Sequence, residues 1–316
     1  MPKILSPEFA ADYCAWIVAP VPFLLPWLAH LHYGGESAGA GGLAAAVLAP
    51  GSWGSARDRL AANSAMFALC YGSAALLWCA VRALLPRSAA FNPALPPAAL
   101  VLREAAHSYA GVLVLTCYQL ALVRLGAVRP PADDPLLPTA REFALWAALI
   151  GLWSDAHFYA THRLLHTPWL YRRVHKLHHR SHNTDPLSGL SMHAAEHALY
   201  FSALLPAALP GLGAMVPFWA VQALSVALVV YPIPSHLALW PFERHHWQHH
   251  TEFNYNYGSS QLFDELCGTT FGAYAARVAA KKAGGKGAEQ GRGVAAADRR
   301  RAAEAARQRK LAMEGC

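Results

Sequence analysis

Apolar segments of membrane-spanning length alternate with proline-rich connections in the first 140 residues. The runs at 61–85 and 105–128 are long enough to cross a bilayer as helices, since one crossing takes about 20 mostly apolar residues. An earlier run at 13–31 has the length but contains three prolines. It therefore predicts either a broken span or a segment in the membrane interface. Proline clusters after the two helical runs predict the connections.

A second apolar region follows and is interrupted by polar sequence. Residues 142–157 predict one more apolar helix, whose polar end leads into a histidine-rich stretch. Residues 198–235 are again apolar with a break at 206–213, which fits a hairpin of two short spans. An even number of crossings returns the chain to the side it left. We therefore expect the histidines before and after this hairpin on one face of the membrane.

Composition favours a membrane protein over a soluble one. The 316 residues are 55% hydrophobic and 14% charged, whereas soluble domains carry about 25% charged residues. The formal net charge of +7 belongs to the C-terminal end, because eleven basic and four acidic residues occur from Arg277 onward. The rest of the chain is formally neutral, which gives no case for a nucleic-acid-binding domain. The six cysteines are scattered without a CxxC pair, so we expect neither a disulfide framework nor a cysteine zinc site.

Histidines are concentrated in two parts of the chain. Nine of the 17 fall between residues 155 and 197, and four more lie between 245 and 250 with His236 shortly before them. Histidines three or four residues apart recur in four motifs: HRLLH (162–166), HKLHH (175–179), HAAEH (193–197) and HWQHH (246–250). This spacing puts side chains on one face of an α-helix. Because neutral imidazole offers one lone pair to a metal, we expect each motif to aim its imidazoles at one point.

The number of imidazoles predicts more than one metal ion. Ten or eleven clustered histidines exceed the ligand set of a single ion, since zinc sites use about four ligands. Two metals are therefore expected, although imidazole suits zinc, copper, iron and nickel alike. A site at the membrane face without an obvious hydrolytic nucleophile favours oxidation of a lipid, whose C–H bonds are inert to acid–base chemistry.

Three of the motifs, in their order, resemble the histidine boxes of the fatty acid hydroxylase/sterol desaturase superfamily. These are HRLLH, HKLHH and HWQHH, and the context is similar as well: Asp155 and Tyr159 precede the first box, MHAAEH follows the second, and FNYNYG and FDELCGT follow the third. The resemblance covers residues 155–269. FNYNYG is most similar to the sterol C5-desaturase branch.

The resemblance implies a non-haem di-iron oxidoreductase of the endoplasmic reticulum membrane that hydroxylates or desaturates a lipid. It implies O2 as co-substrate. It also implies that the electrons come from NAD(P)H and are delivered by cytochrome b5 or its reductase. A sterol or related lipid is the expected substrate, and a fatty acid or sphingolipid is the alternative. Carried over by motif, the ligands of the two iron ions are His162, His166, His175, His178, His179, His193, His236, His246, His249 and His250.

Further residues near the boxes are expected to support the ligands. Asp155 and Glu196 would orient imidazole N–H groups, as carboxylates do around many metal sites, and His197 would have a similar supporting role. The additional histidines are expected not to bind metal; they are His157, His182 and His245.

Two alternative functions, which are not lipid oxidation, stay open. HAAEH also has the HxxEH pattern of inverted zinc peptidases, in which two histidines bind zinc and the glutamate is the general base. A histidine-rich metal transporter would also use many imidazoles, but it predicts polar groups inside the spans.

We therefore expect an all-α integral membrane protein with about four to six membrane-embedded helices and a cytosol-facing histidine-rich cap. The predicted organisation is N-terminal spans at 1–140, a catalytic domain at 141–272 and a basic cytosolic tail at 273–316. Basic residues beside the boxes and in the tail put that side in the cytosol. The tail is predicted to be a flexible linker followed by a charged helix.

Overall fold

The protein is helical throughout the part of the chain that its structure describes. The computed structural model describes residues 50–84, 96–130, 138–182, 184–237 and 244–283. No β-strand occurs in these ranges, so the predicted all-α class is confirmed. The first predicted span, at 13–31, lies outside the described residues.

The helices follow one another with short connections. The α-helices are α1 (Ala56–Leu84), α2 (Ala98–Arg124), α3 (Ala140–Leu165), α4 (Pro168–Arg173), α5 (Ala194–Phe201), α6 (Leu212–Met215), α7 (Phe218–Val230), α8 (Pro232–Ser235), α9 (Arg244–Glu252), α10 (Leu262–Cys267) and α11 (Phe271–Ala283). Short 3₁₀ helices lie at Pro50–Gly54, His175–Arg180 and Ser202–Ala208.

Three segments among the described residues are long and apolar enough to cross a membrane: α1, α2 and the continuous stretch Phe218–Ser235 made of α7 and α8. The most apolar windows of α1 and α2 are only 22% and 39% buried, whereas that of Phe218–Ser235 is 83% buried. Leucines such as Leu76 and Leu102 are exposed on α1 and α2, as expected of helices that face lipid. The third segment instead passes through the middle of the protein.

The apolar region at 198–235 turns back on itself, as predicted, but its two arms differ. The first arm is α5 and the following 3₁₀ helix, and it does not meet the length of a membrane span. Gly211, with φ of 79°, lies in the turn between the arms, a conformation that glycine adopts without strain. The Tyr200 hydroxyl donates to Leu228 O at 2.8 Å and ties the arms together. Only the second arm is a candidate span.

Helix α3 carries the first histidine box to the centre of the protein. It begins with a capping box in which Thr139 and Glu142 satisfy each other's backbone N–H groups, a strong start signal. Phe143 stacks on Trp219 of α7 with ring centroids 6.1 Å apart. The helix therefore runs beside α7, and His162 emerges at its buried C-terminal end.

Hydrogen bonds connect the lipid-facing helices to one another and to the histidine region. The Asn63 amide of α1 donates to Thr116 and Gln119 of α2, each at 2.8 Å. From α2, Ser108 donates to Leu187 O at 2.7 Å and Tyr118 donates to Ala198 O at 2.7 Å. Buried polar groups in spanning helices are stable when paired in this way.

Residues from Gly268 onward belong to a second compact unit. Within it, α11 extends to Ala283, so residues 279–283, expected in the flexible linker, are helical. This part of the tail prediction is wrong because alanine and lysine are good helix formers and continue the helix begun at Phe271. The predicted charged helix lies outside the described residues, and the division at 140 and 272 stays a prediction.

Candidate metal centre

Nine histidine side chains come together in two groups at the centre of the larger unit. The five-histidine group consists of His162, His166, His175, His179 and His249. The four-histidine group consists of His178, His236, His246 and His250. Within each group the available ligand nitrogens all lie within 4.8 Å of one another. All nine residues were expected as ligands: eight lie in the three boxes, and the ninth is His236.

The Nε2 atoms of the five-histidine group have the spacing of ligands around one ion. The His175 Nε2 lies 3.0 Å from those of His162 and His179 and 3.1 Å from that of His166. The His249 Nε2 lies 3.0 Å from the His166 Nε2. Metal–nitrogen bonds of about 2.1 Å at right angles place neighbouring nitrogens about 3.0 Å apart. The group therefore fits one ion whose ligands lie at about 90° to each other.

Hydrogen-bond acceptors behind three of these rings fix their protonation. The Nδ1 atoms of His162 and His249 lie 2.6 and 2.7 Å from carbonyl oxygens of Tyr257 and Tyr255. The His175 Nδ1 lies 2.6 Å from Glu196 Oε1. Each Nδ1 must carry the proton to donate to these acceptors, so each Nε2 presents a lone pair.

This assignment leaves a juxtaposition that a hydrogen bond cannot explain. The Nε2 atoms of His162 and His175 are both acceptors, yet they lie 3.0 Å apart. Two lone pairs at this distance repel each other unless a cation lies between them. The donor set therefore fits a metal ion on physical grounds.

The four-histidine group has the same character with fewer supports. The Nε2 atoms of His246 and His250 lie 3.1 Å apart. The His236 Nδ1 faces Pro232 O at 2.8 Å, while its buried Nε2 has no hydrogen-bond partner among the described residues. The His178 Nδ1 is 3.3 Å from Ser191 O. An unpartnered buried nitrogen aimed into a group of imidazoles is what a metal ligand would present.

Burial keeps these imidazoles neutral. It lowers the pKa of His175 and of His249 to about 3, and that of His178 to about 4. The cause is desolvation, which disfavours the charged imidazolium. A neutral ring is the form that binds a metal ion. At neutral pH, therefore, protons do not compete for the candidate ligand nitrogens.

The second and third boxes each contribute to both groups, contrary to the expectation that one motif aims at one point. HKLHH forms a 3₁₀ helix, and its His178 points to one group while His175 and His179 point to the other. On α9, His249 belongs to the five-histidine group, whereas its neighbour His250 belongs to the four-histidine group. The reason is angular: consecutive helical residues point about 100° to 120° apart. Adjacent histidines therefore reach different centres.

The structure does not bring His193 into either group. It precedes the first turn of α5 as the N-cap, is exposed, and its Nδ1 accepts from Ala195 N at 3.1 Å. His197 also points elsewhere, with its Nε2 2.9 Å from Leu190 O. The two histidines of HAAEH thus share no ligand point, and the zinc-peptidase reading of this motif is wrong.

The two carboxylates expected behind the ligands behave differently. Glu196 contacts His175 as described, and burial raises its pKa to about 7. Asp155 hydrogen-bonds to no imidazole among the described residues, so it does not have the orienting role that we expected: it accepts from Ser259 Oγ at 2.8 Å and from the backbone N–H and hydroxyl of Ser260. Asp155 instead holds the loop that follows Tyr257.

A third buried carboxylate, which the sequence reasoning missed, holds the same loop. Asp264 accepts from the N–H groups of Tyr257 at 2.9 Å and Gly258 at 2.6 Å and also faces His245 at 3.2 Å. It is fully buried. The available signal was an acidic residue inside the apolar FDELC segment, which alone does not distinguish a buried aspartate from an exposed one.

His157, His182 and His245, which we expected not to bind metal, lie outside both groups. The His157 Nε2 is paired with Ser202 Oγ at 2.9 Å. The His182 Nδ1 faces His250 O at 3.4 Å, and His245 faces Asp264 as described. None of them offers a nitrogen to the two groups.

Close packing against glycine positions His236. A Cβ on Gly189 would lie 2.5 Å from Pro232 O and 2.7 Å from Pro232 Cβ, nearer than real atoms approach. The same Pro232 O accepts the His236 Nδ1 proton. Gly189 therefore lets the loop after the second box approach the end of the central span and support one candidate ligand.

A helical membrane protein with two adjoining groups of buried imidazoles is the class that the fold and the site define. Within that class, comparison with known proteins supports the resemblance of the boxes to the fatty acid hydroxylase/sterol desaturase superfamily. The family model described as fatty acid hydroxylase matches residues 147–269. No solved structure matches the chain.

Curated relatives from animals and fungi agree with this assignment. The chain is 35% identical over 143 residues to human fatty acid hydroxylase domain-containing protein 2, covering 42% of this chain and 40% of the relative. It is 33% identical over 136 residues to the Delta(7)-sterol 5(6)-desaturase erg31 of Schizosaccharomyces pombe, covering 40% and 43%. It is 36% identical over 70 residues to the fatty acid hydroxylase ahd1 of Mycosarcoma maydis, covering 22% and 18%. The matches thus span less than half of each relative's length.

Proposed function

We propose that the protein uses O2 and two iron ions to hydroxylate or desaturate a membrane lipid. The observation that carries this proposal is the convergence of nine imidazoles in two adjoining groups, with lone pairs facing each other inside the five-histidine group. Similarity to the superfamily supports an oxidoreductase acting on a lipid. Iron is the metal because imidazole-rich sites suit it and it activates O2.

The roles of the chain's own residues follow from their positions. The five-histidine and four-histidine groups each hold one ion, and His193 is not a ligand. Glu196 accepts a hydrogen bond from the His175 Nδ1–H and keeps that ring aimed inward, which also increases the basicity of the ring. The bound ions supply, with O2, the oxidising power needed to remove hydrogen from an unactivated C–H bond.

A small cavity with room for a water-sized group adjoins both groups, and we propose that the reacting carbon of the lipid approaches the ions there. Phe158, Met192 and Tyr200 line it together with His162 and His178. Its walls exclude bulk water from the candidate centre, which prevents side reactions of an oxidant with solvent. The apolar side chains suit a hydrocarbon because burying apolar surface is favourable.

We further propose a sterol or a related lipid as the substrate. The relatives named Delta(7)-sterol 5(6)-desaturase and the FNYNYG segment support this choice. The relative named fatty acid hydroxylase supports the alternative, an acyl lipid such as a fatty acid or sphingolipid. Both alternatives use the same candidate centre and differ in which lipid approaches the ions.

The proposed electron donor is cytochrome b5 or its reductase, supplied by NAD(P)H. Exposed basic side chains surround the second box; they are Arg172, Arg173, Lys176 and Arg180. Such a surface attracts an acidic redox protein and accelerates its association. By the positive-inside tendency, the same residues support our proposal that this face lies in the cytosol and that the chain is a multi-pass protein of the endoplasmic reticulum membrane.

Metal analysis of the detergent-purified chain tests the centre. We expect about two irons per chain, and none in a variant that combines His178→Ala with His179→Ala, because these neighbours belong to different groups. The matched control is His193→Ala, a histidine of the same region that lies outside both groups and should keep the iron. A single tightly bound zinc, or iron lost equally from the control, would contradict the proposal.

Lipid analysis then tests the reaction. Cells that express the wild-type chain should contain an oxidised lipid, with a new hydroxyl or double bond, that is absent from cells expressing the double variant. Equal lipid profiles in the presence of a fully iron-loaded protein and a reducing system would contradict the oxidation of lipid.

A further inference from the structure

One face of α2 carries small and polar side chains and lies against the chain that follows the second histidine box. Glu104, Ser108 and Gly111 share this face, because residues four and seven positions apart align along a helix, and all three are buried. Glu104 contacts Ser181 at the end of the second box, and Ser108 contacts the support loop, residues 184–191. Helix α2 lies outside residues 147–269, which the family model matches. The histidine boxes therefore do not encode these contacts.

The support loop orients two rings of the four-histidine group. Ser191 O is the acceptor that lies 3.3 Å from the His178 Nδ1. Gly189 packs against Pro232, whose carbonyl oxygen is 2.8 Å from the His236 Nδ1. Two of the four imidazoles are therefore held by an acceptor that belongs to this loop or is packed against it. A displaced loop would turn both rings away from their common ligand point.

Helix α2 holds the middle of the support loop. The Ser108 hydroxyl donates to Leu187 O at 2.7 Å. The His197 Nε2 lies 2.9 Å from Leu190 O, and Gly111 gives this ring its space, since a Cβ on Gly111 would lie 2.9 Å from the same Nε2. The loop is thus held against α2 by one direct hydrogen bond and by one imidazole packed on the helix.

Glu104 holds the beginning of the same loop. Its carboxyl group accepts a hydrogen bond from the Ser181 hydroxyl and is hydrogen-bonded to the carboxyl group of Asp185. Ser181 directly follows the 3₁₀ helix of the second box, and its N–H donates to His178 O at 3.2 Å. One carboxyl group of α2 therefore links the end of the second box to the start of the support loop.

The contact between the two carboxyl groups requires a proton. Glu104 is fully buried and Asp185 is 2% exposed, and neither the Glu104 Oε2 nor the Asp185 Oδ2 receives a hydrogen bond from another described group. Two carboxylates have only acceptor atoms and repel each other, whereas a carboxylic acid donates to a carboxylate. The Asp185 Oδ1 accepts from Leu187 N–H at 2.7 Å, which favours negative charge on Asp185. The proton that joins the pair therefore lies on Glu104.

The charged groups around the pair do not neutralise a second negative charge. Among the described residues, no lysine or arginine forms an ion pair with Glu104 or Asp185. Arg103 on α2 is exposed and acts on Glu104 from the surface, and His107 on α2 lies near Arg103 and near Arg180 of the second box. Burial raises the pKa of Asp185, because desolvation disfavours the ionised form. The site thus accommodates one negative charge rather than two.

Resting on the proposed pair of iron ions, we infer that Glu104 and Asp185 share one proton and that this carboxyl pair positions the second box and the support loop for metal binding by the four-histidine group. Both are positioning residues, because they act through Ser181 and the loop backbone and, among the described residues, hydrogen-bond to no imidazole. A membrane-spanning helix outside the matched domain thereby takes part in building the centre. Ionisable groups in spanning helices are costly and mark functional positions of this kind.

Iron binding in two single-site backgrounds tests the positioning. In the full chain in detergent, His249→Ala leaves the four-histidine group to bind one iron, and His250→Ala leaves the five-histidine group to bind one. Adding Glu104→Ala should lower the iron affinity by about 10- to 100-fold in the His249→Ala background. It should leave the iron affinity unchanged in the His250→Ala background. Competition with a chelator measures both affinities.

Three further variants separate positioning from general stability. Glu104→Gln should restore the iron affinity, since the glutamine carbonyl accepts from Ser181 and its amide N–H donates to Asp185, as the protonated acid does. Asp185→Asn should lower the affinity, because asparagine has one acceptor oxygen where Asp185 uses two. Thr116→Val is the matched control: Thr116 is buried on α2 but accepts from Asn63 of α1 at 2.8 Å. This control should lower the melting temperature without changing the iron affinity.

The pH dependence of stability tests the shared proton. The unfolded chain loses this proton at about pH 4.5, whereas the folded pair keeps it to a higher pH. Its contribution to stability is therefore lost as the pH rises through the folded pKa of the pair. Glu104→Gln has no such proton to lose. Without iron, the melting temperature of the wild type should fall relative to that of Glu104→Gln by about 2–4 °C between about pH 5.5 and 8.5.

The inference is overturned if Glu104→Ala weakens iron binding equally in both backgrounds or in neither. It is also overturned if Glu104→Gln loses iron as Glu104→Ala does, or if the difference in melting temperature does not change with pH. A rise in melting temperature with Ca²⁺ that occurs in the wild type and not in Glu104→Gln would overturn it as well, because a cation rather than a proton would then join the carboxyl groups.

The same measurements with Zn²⁺ separate this inference from the proposed function. A chain that binds zinc but no iron, and whose zinc affinity depends on Glu104 in the His249→Ala background, would refute the proposed function alone. Binding of two irons and oxidation of lipid that do not depend on Glu104 would refute the positioning role alone.

Discussion

The five-histidine and four-histidine groups share a chemistry but are supported in different ways. Behind the five-histidine group, carbonyl oxygens of the loop containing Tyr255 and Tyr257, together with Glu196, accept Nδ1 protons at 2.6 to 2.7 Å. Behind the four-histidine group, the acceptors are Pro232 O at the end of the central span and Ser191 O at 3.3 Å. One group depends on a loop and a carboxylate, and the other depends on the end of a helix and one loop carbonyl.

This difference predicts that the two proposed ions are not equivalent. Glu196 hydrogen-bonds to His175 of the five-histidine group, while among the described residues no carboxylate hydrogen-bonds to a member of the four-histidine group. Fewer imidazoles also leave more coordination positions open for other ligands. We therefore expect tighter metal binding in the five-histidine group and easier access in the four-histidine group.

The largest expected effect comes from replacing, one at a time, the sequence neighbours His249 and His250. His249→Ala removes a ligand from the five-histidine group and His250→Ala removes one from the four-histidine group, so each variant should bind about one iron tightly instead of two. Oxidation should fall by about 100-fold or more in both, since ligand loss exceeds the 10–100-fold effect of outer residues. Iron content and product formation measure the two effects. Loss of both irons in both variants would contradict two separate groups.

A smaller effect is expected from Glu196→Gln, which tests the carboxylate of the five-histidine group. The amide accepts the His175 Nδ1 proton more weakly, and we expect about 10- to 100-fold lower affinity for one of the two irons. Competition with a chelator measures this affinity. Glu252→Gln is the control, because Glu252 is exposed on the third-box helix. Equal weakening of both irons would show that the groups are not distinct.

Asp264→Asn tests the loop that supports the five-histidine group. Asparagine offers one oxygen where the two N–H groups of Tyr257 and Gly258 need acceptors, and leaving one unsatisfied costs about 1–3 kcal/mol. The melting temperature should fall by about 2–4 °C for each kcal/mol, and one iron should bind more weakly. Thermal unfolding and metal content measure both effects. If Asp264→Asn instead weakens iron binding by the four-histidine group, the loop is not a separate support of the five-histidine group.

The smallest expected effect concerns His157, which lies outside both groups and isolates the general pH response from the metal sites. Its folded pKa of about 4 is below the ordinary value of about 6.5, so the unfolded chain binds the proton more readily. Stability from this residue is present above pH 6.5 and is lost as the pH falls toward 4. His157→Gln should therefore lose less stability than wild type, by about 1–2 kcal/mol between pH 7.5 and 5. Denaturant unfolding at both pH values measures the free energy of unfolding. If that free energy changes equally with pH in the variant and in the wild type, the result contradicts a neutral buried ring.

Much of the fold and of the candidate ligand set could be predicted because strong local signals carry them. The apolar runs at 61–85 and 105–128 correspond to α1 and α2. Both helices begin before these runs, because polar residues such as Arg59 fit inside a helix when they hydrogen-bond to buried partners. The boxes contain eight of the nine converging histidines, and His236 is the ninth. The division of the boxes between two groups was missed because each box was treated as one helix face, whereas adjacent histidines in HKLHH and in HWQHH point about 100° to 120° apart.

The errors concern residues whose role depends on tertiary contacts. His193 has ligand spacing from His197, but α5 begins one residue after it and leaves it exposed. Asp155 lies in the right motif, yet its partners Ser259 and Ser260 are about a hundred residues away in sequence. Asp264 was missed for the same reason. No local pattern encodes which loop a buried carboxylate will hold.

Gly189 gives the fold an unusual sensitivity to natural variation. It is not a ligand, carries no functional group and lies far in sequence from His236, yet there is no space for a methyl group between it and Pro232. An alanine allele at this position would displace the carbonyl behind His236 while preserving every histidine box. Such an allele would look harmless in a motif-based survey of variants, although its carrier would have a defective four-histidine group.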